Sequence, residues 1–464
     1  IMKKDTITKN LLKKLPKEIL PILKIFYQAG FDIFLVGGAV RDLLLDRPIE
    51  DLDLATSAPP EKTQELFPKS FYDNTYGTVK ITQKKRQIEI TTFRSESGYQ
   101  DHRHPNQITW GKSIEEDLSR RDFTINALAL GVWAKQKSFQ PKLVDEFSSQ
   151  KDLQAGLIRT VGEPQKRFAE DALRLLRAVR LSAQLNFKIE KKTLSAIKNQ
   201  ASLIKNVSWE RIRQELFKIL LTDQIESAFE TLRKTDLINY LLPELIKGYQ
   251  MEQKGHHIWG VWKHSLLSAQ YCPSQDPVVK LAALIHDVGK PIVVEDKNGQ
   301  RTFHNHEVVG ASLARQIGKR LKLSKKDQDR LTKLVRHHQF SVSEKQTDKA
   351  IKRFIRRVGK KDVPDMLSLR TGDRLGSGAK KTSWRTELFK KRLVEVQKEP
   401  FSIKDLKING HDVMEKLNIP PGPRVGEILS ALFNQVEEGQ IPNNKKALLE
   451  KLEKQFSSSS KTQE

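Results

Sequence analysis

The sequence predicts an α+β protein, a small sheet domain at the amino end followed by an all-helical remainder, and three observations predict it. From about Phe31 to Val144 the chain carries β-rich runs, FDIFLV, GTVKIT, QIEITTFR and ALALGVW, with few long helical patterns between them. From about Asp152 onward almost every stretch has the spacing of an amphipathic helix, with breaks near Pro243, at 271–277, at Pro291 and at the PPGP of 420–423. At 464 residues, 38% hydrophobic and 30% charged, the chain is long enough for several domains and apolar enough for a real core.

The first elements already carry chemistry. FDIFLV reads as a buried strand, Gly37 and Gly38 as the turn that follows, and Ala39 to Leu45 as a short helix. The free N–H groups at the amino end of that helix form a phosphate cradle. IEDLDLAT is then a second strand on which Asp51 and Asp53, two residues apart, project from one face. Two carboxylates side by side repel unless a cation lies between them, and magnesium shared with substrate phosphates is the usual resolution. A pair of strand-end aspartates facing water is the plain alternative. Glu89, in QIEITTFR, shares a strand face with Gln87 and Thr91 and is a candidate third carboxylate. The segment 95–118 is polar and turn-rich.

In RRDFTINALA, at 120–129, Arg121 suits a phosphate or a base, although Arg-Arg-Asp also reads as a simple ion pair. EDALRLLRAVR, at 170–180, continues as a helix with Ala172, Leu175, Leu176, Val179 and Ala183 on one apolar stripe. Asp171, Arg174, Arg177 and Arg180 fall on the opposite half, which places the arginines on a cleft or in solvent. Further on come His264, the adjacent His286 and Asp287 in an apolar helical run, His304, His306, His337, His338 and finally Asp373. A histidine and an aspartate buried side by side need partners, and imidazole with carboxylate suits a metal ion that activates water.

Composition narrows the partners. Lys and Arg number 82 against 57 Asp and Glu, a formal net charge of +25, which favours a polyanion and above all nucleic acid. The apolar stretches around Leu35 and Leu284 are too short to cross a bilayer, and the amino end lacks a signal-peptide core. The single cysteine, Cys272, has no internal disulfide partner. A cytoplasmic protein with no membrane partner is expected, and the closing SSSSKTQE is expected to fray.

The ordered set GGAVRD, DLDLAT, RRDFTINALA, EDALRLLRAVR and ERIRQELFKIL at 210–220 resembles the polymerase-β-type nucleotidyltransferases, and among them the bacterial (class II) tRNA nucleotidyltransferase and poly(A) polymerase family, over nearly the whole chain. The resemblance implies a polymerase-β-like head at 1–150, a helical neck for base recognition and RNA binding at 151–245, a helical body at 246–385 and a tRNA-binding tail at 386–464. It implies Asp51 and Asp53 as catalytic carboxylates holding Mg2+, and Gly38, Arg41, Arg121, Asp122, Asp171, Arg174, Arg177 and Arg180 as nucleotide-binding residues. Asp122 would accept from a ribose hydroxyl, Asp171 and Arg174 would pair with the base edge, and the later arginines would hold phosphates. The partners implied are tRNA, CTP and ATP, and the activity is addition of CCA to the tRNA 3′ end, with CC-only or A-only addition and poly(A) synthesis as the near alternatives. Poly(A) polymerases usually have a GRRF-like basic run where this chain reads NTYGTVKI at 74–81, and CC-adding members tend to lack the loop retained at 95–118. One departure lies at VDEFSSQKDLQAGLIR, where Glu146, Ser148 and Ser149 replace the glycine-rich turn usual in the family. The downstream histidines resemble an HD phosphohydrolase domain, which implies His264, His286, Asp287 and Asp373 as ligands of a second divalent metal.

Overall fold

A computed structural model describes residues 4–73, 77–84, 86–99, 105–111, 113–253, 258–297, 300–380, 383–397 and 403–456. The head begins with two helices, α1 (Lys4–Lys14) and α2 (Ile19–Gln28), and a third, α3 (Gly38–Leu44), sits between the first two strands. The strands are β1 (Ile33–Val36), β2 (Asp53–Thr56), β3 (Phe71–Asp73), β4 (Thr78–Gln83), β5 (Arg86–Thr92), β6 (Arg94–Tyr99), β7 (Pro105–Trp110), β8 (Ala129–Val132) and β9 (Lys142–Val144). Seven of them form one sheet in the order β3-β4-β5-β2-β1-β8-β9, antiparallel except for the parallel pair β2 and β5.

The alternation of strand side chains explains the layering. Ile33, Leu35, Leu54, Ile88, Ile90 and Leu130 point to one face, where Ile19, Ile22, Leu23 and Phe26 of α2 cover them. Phe34, Val36, Ala55 and Ala129 point to the other, against Ile114, Leu118 and Phe93. All four runs expected as strands are strands. The edges β3 and β9 are additional, and much of the expected loop at 95–118 is an antiparallel hairpin of β6 and β7, followed by the helix Ile114–Ser119. The expected run 74–81 lies partly outside the described residues, as does the whole of the closing SSSSKTQE.

Beyond Ser149 the chain is almost entirely helical, and the apolar residues of its helices join the head's first layer in one continuous core as far as Val396. Leu406 to Leu452 build a separate core. Its first helix, Gly410–Leu417, starts in a capping box: Asn409 accepts from the N–H groups of His411 and Asp412, and Asp412 accepts from that of Asn409. The departure at 145–149 has a local solution. Ser148 takes the left-handed conformation with φ 56°, and the Asp145 carboxylate accepts from the N–H groups of Ser149 at 2.6 Å and Gln150 at 3.2 Å.

Candidate active site and a buried histidine–aspartate centre

The turn after β1 is built on glycine. Gly37 has φ 71° and ψ −133°, and its N–H bonds the carbonyl of Leu128 at 3.1 Å. A Cβ there would lie 2.6 Å from Arg121 Nη1, so the end of that arginine would have to shift. Across the sheet, β2 runs parallel to β5 in a register that sets Asp53 beside Glu89, with Asp51 just before the strand. The protein crowded around Asp53 raises its pKa although the residue keeps solvent access; Arg121 opposes the rise, and Glu89 and Asp51 add to it. Glu89 is itself paired with Lys80 at 2.8 Å. Three anions on one sheet end, one of them reluctant to ionise, suit a multivalent cation.

Several expected nucleotide-binding residues are committed elsewhere. Arg41 is buried; its Nε and Nη2 bind the Asp42 carboxylate at 3.0 and 2.8 Å, and its Nη1 binds Asn126 Oδ1 at 2.7 Å. Arg121 Nη2 donates to the buried Asp117 carboxylate at 3.0 Å. Asp122 accepts from the Phe123 N–H at 2.8 Å, Asn126 Nδ2 at 3.1 Å and Arg177 Nη2 at 2.7 Å. Burial alone would raise the Asp122 carboxyl, but Arg177 and the hydrogen bonds outweigh it and hold it far below the usual range.

The expected single helix from 170 is two. Pro164–Glu170 ends at Asp171, whose backbone is extended, and Leu173–Leu185 starts the next. The apolar stripe faces the core as expected. The arginines do not all face a cleft or solvent: Arg174 is buried and the Arg180 side chain is only 12% exposed, while Arg177 stays 37% exposed at its side chain. The reason is a carboxylate beside each. Arg174 bonds Glu170 at 2.6 Å and the carbonyls of Arg167 and Arg120; Arg180 bonds Glu215 at 2.6 Å; Asp171 accepts from Arg211 at 2.8 Å. Glu170, Arg211 and Glu215 lie inside the quoted motifs, yet their pairing could not be read from spacing.

This arrangement can be set beside known proteins. Family models match residues 33–159 (poly A polymerase head domain), 186–248 (RNA and SrmB-binding site of polymerase A) and 308–452 (tRNA nucleotidyltransferase domain 2). The CCA-adding enzyme of Ligilactobacillus salivarius is 34% identical over 444 residues, 94% of this chain and 96% of that protein. The chain belongs to the CCA-adding enzyme family. It is thus an enzyme, a tRNA nucleotidyltransferase, of a kind that uses divalent metal. The CCA-adding enzyme of Lactobacillus helveticus is 47% identical over 219 residues, covering 47% of this chain and 53% of that protein. The Bacillus stearothermophilus CCA-adding enzyme, solved in complex with CTP, superposes with a TM-score of 0.72 at 28% identity, over 96% of this chain and 99% of that one. Among the described residues no helix is long and apolar enough to cross a membrane.

This family member also brings its downstream histidines and aspartates together. His264 lies on the helix Val261–Tyr271, His286 and Asp287 follow the helix Pro277–Ile285, and Asp373 lies on the helix Val363–Gly376. A Cβ on Gly372 would meet the Ser268 carbonyl at 2.3 Å, so this glycine lets the Asp373 helix lie close against the His264 helix. His264 Nε2 is 3.0 Å from His286 Nε2, 3.4 Å from Asp287 Oδ2 and 3.3 Å from Asp373 Oδ1; His286 Nε2 is 3.3 Å from Asp287 Oδ2 and 3.8 Å from Asp373 Oδ1. Ligands bonded to one ion at about 2.0–2.2 Å in tetrahedral or octahedral geometry are about 2.8–3.6 Å apart, and four of the five separations above fall in that range. His286 Nδ1 faces the Ala283 carbonyl at 2.8 Å, which turns Nε2 inward toward Asp287. Without a cation the cluster supplies its own charge: burial would depress His286, but Asp287 and Asp373 raise it. His306 and His338 are buried beside the quartet, whereas His304 is exposed and His337 half-buried. Lys290, which the sequence reading passed over, is also buried and reaches Asp287 Oδ2 at 2.7 Å.

Proposed function

We propose that the chain adds CCA to the 3′ end of tRNA from CTP and ATP without a template, with Asp51 and Asp53 as the catalytic carboxylates. The observation that carries this reading is the acidic end of β2, where Asp53 lies in register with Glu89 beside the glycine turn at Gly37. Asp51 and Asp53 would hold Mg2+, which when bound lowers the pKa of the attacking hydroxyl and neutralises charge on the leaving pyrophosphate. The RNA 3′ hydroxyl attacks the α-phosphate, and the P–O bond to pyrophosphate breaks. The amino end of α3 at Gly38 and the Arg121 guanidinium receive the triphosphate. Arg41 supports them from beneath through Asp42 and Asn126. Asp122 meets the ribose.

Asp171 and Arg174 read the base. Each Asp171 oxygen already accepts one hydrogen bond, from Leu173 N–H or Arg211, and keeps a second lone pair for a base amino group. Arg174 is held in one pose by Glu170, as a protein template requires. Arg177 and Arg180 take phosphates by exchanging Asp122 and Glu215 for them. The work is assigned to the cytoplasm, consistent with one buried cysteine.

The test uses tRNAs ending before CCA, before CA and before A, with CTP and ATP offered singly and together. Full restoration of all three by the wild type, and none by Asp51→Ala with tRNA affinity retained, is expected. Products that stop at CC, or that extend into poly(A), would assign the chain to an alternative transferase.

A second reading concerns the buried centre, which we assign as a metal-dependent phosphohydrolase acting on phosphate esters such as 2′,3′-cyclic phosphates. Its support is the convergence of His264, His286, Asp287 and Asp373, the last three of which line a cleft of about 550 Å³ with Arg370 and Arg374 in its wall. His286→Ala with Asp287→Ala should abolish hydrolysis and spare CCA addition. Absence of hydrolysis by the wild type with magnesium, manganese, nickel or cobalt would refute the assignment.

A further inference from the structure

We infer that a pocket beside the buried centre is an anion subsite, in which Arg353 and Arg357 take the last phosphodiester of an RNA 3′ terminus whose end phosphate lies at the centre. The pocket, of about 290 Å³, has these two arginines, His337, Gln339 and Phe340 in its wall. None of them belongs to the quartet or to the nucleotidyl-transfer site.

The charges around the pocket single the two arginines out. On the helix Asp348–Val358, Lys349 is answered by Glu438 at 3.0 Å and Arg356 by Glu437 at 2.5 Å. Nearby, Lys333 is answered by Asp362 at 2.6 Å and Arg336 by Glu307 at 3.2 Å. Arg353 and Arg357 are exposed, line the same pocket from positions four apart on one helix, and have no carboxylate partner among the described residues. Like charges so spaced repel, and an anion held between them turns the repulsion into attraction. Burial and the cations Arg336, Arg357 and Lys333 lower the pKa of His337, so its ring is neutral at pH 7 and keeps one N–H to donate.

Three links join this pocket to the centre. Gln339 lines both the pocket and the cleft that holds His286, Asp287 and Asp373. The Arg370 guanidinium of the cleft wall lies 5.5 Å from the ring centroid of Phe340 in the pocket wall. His337 and His338 are consecutive, the first lining the pocket and the second buried against the cleft, so one residue's step of about 3.8 Å separates the two walls. An RNA terminus offers anions in the same succession: a 2′,3′-cyclic phosphate and, across one ribose, the phosphodiester on the 5′ oxygen. A nucleoside cyclic phosphate offers only the first. The chemistry is the same for both: a water oxygen bonds to phosphorus, one ring P–O bond breaks, and the released ribose oxygen takes a proton from the water, leaving a monoester.

The inference rests on the phosphohydrolase reading of the centre, and the experiment separates the two. Full-length protein, supplied in turn with magnesium, manganese, nickel and cobalt, is given three substrates: cytidine 2′,3′-cyclic phosphate, the dinucleotide CpC ending in the same cyclic phosphate, and that dinucleotide with a neutral methylphosphonate linkage. The charged dinucleotide should exceed both others by about 10- to 100-fold in kcat/KM, the range of a charge-assisted contact. Arg353→Gln with Arg357→Gln should erase that preference, leave hydrolysis of cytidine 2′,3′-cyclic phosphate as it was, and keep the wild-type circular dichroism. Equal kcat/KM for the mononucleotide and the dinucleotide in the wild type, full activity on the methylphosphonate, or a preference that survives in the variant overturns the inference alone. A surviving preference with weakened tRNA affinity would make the two arginines part of the surface that holds tRNA. No hydrolysis of any of the three substrates overturns the phosphohydrolase reading and the inference with it.

Discussion

Replacing Gly37 with alanine probes the turn on which the proposed nucleotide site rests. The backbone there, φ 71° and ψ −133°, is close to a region reserved for glycine, and holding an alanine in it costs about 1–3 kcal/mol. The new Cβ would also meet Arg121 Nη1 at 2.6 Å, so the guanidinium must swing away from Asp117. Asp117 keeps Arg120, which limits that further loss to about 1 kcal/mol. Together these lower the local stability of the turn and α3 by about 2–4 kcal/mol, provided the head stays folded. Hydrogen exchange of the α3 amides reads this directly as about a 30- to 1000-fold loss of protection, since about 1.4 kcal/mol is tenfold. The KM for CTP should rise in the same variant while tRNA affinity holds. Unchanged protection with an unchanged KM would refute the assignment of turn and Arg121 to one unit.

Arg177→Met should cost about 2–3 kcal/mol, below the full penalty for a broken buried pair because Arg177 is partly exposed and Asp122 keeps Asn126 and Phe123; Asp122→Asn in the same chain should restore part of it in urea unfolding followed by circular dichroism. Arg174→Ala should raise UTP or GTP incorporation relative to CTP by about 1–3 kcal/mol of lost discrimination, measured as kcat/KM ratios. For Asp53, whose folded pKa is raised, ionisation works against the metal-free fold. Asp53→Asn should therefore raise thermal stability without metal at neutral pH, a gain that disappears as pH falls below the ordinary carboxylate range. In the metal-free protein the Asp53 carboxyl should titrate above its ordinary value, and Glu89→Gln, by removing one of the neighbouring anions, should bring it down, read by NMR titration.

The strands that hold the site were legible as apolar or alternating runs bounded by turn residues, whereas the register that sets Asp53 beside Glu89 pairs strands distant in the sequence and emerges only in the fold. The edges Phe71–Asp73 and Lys142–Val144 were not legible: three residues with a partly exposed face leave no period to detect. The neck misled for a different reason. A helical wheel ranks residues by polarity, so it sent Arg174 and Arg180 outward; their carboxylate partners Glu170 and Glu215 bring them inside as neutralised pairs. Sequence spacing likewise could not tell His306 from His304, or His338 from His337, because the choice depends on which ring a distant helix turns toward Asp287.

The arginine–carboxylate pairs of the neck change how the enzyme's charge should be counted. A lysine or arginine bathed in solvent carries a loose ionic atmosphere opposite an equally loose one on RNA, and their union releases ions to the bulk, which makes binding sensitive to salt. Arg180 with Glu215, and in part Arg177 with Asp122, are already neutralised by carboxylates and have less such atmosphere to shed. In the role proposed for them, taking a phosphate would exchange one anion for another. The neck would then behave as an ion exchanger already loaded with internal carboxylates, and the salt dependence of tRNA capture would belong to the rest of the basic surface.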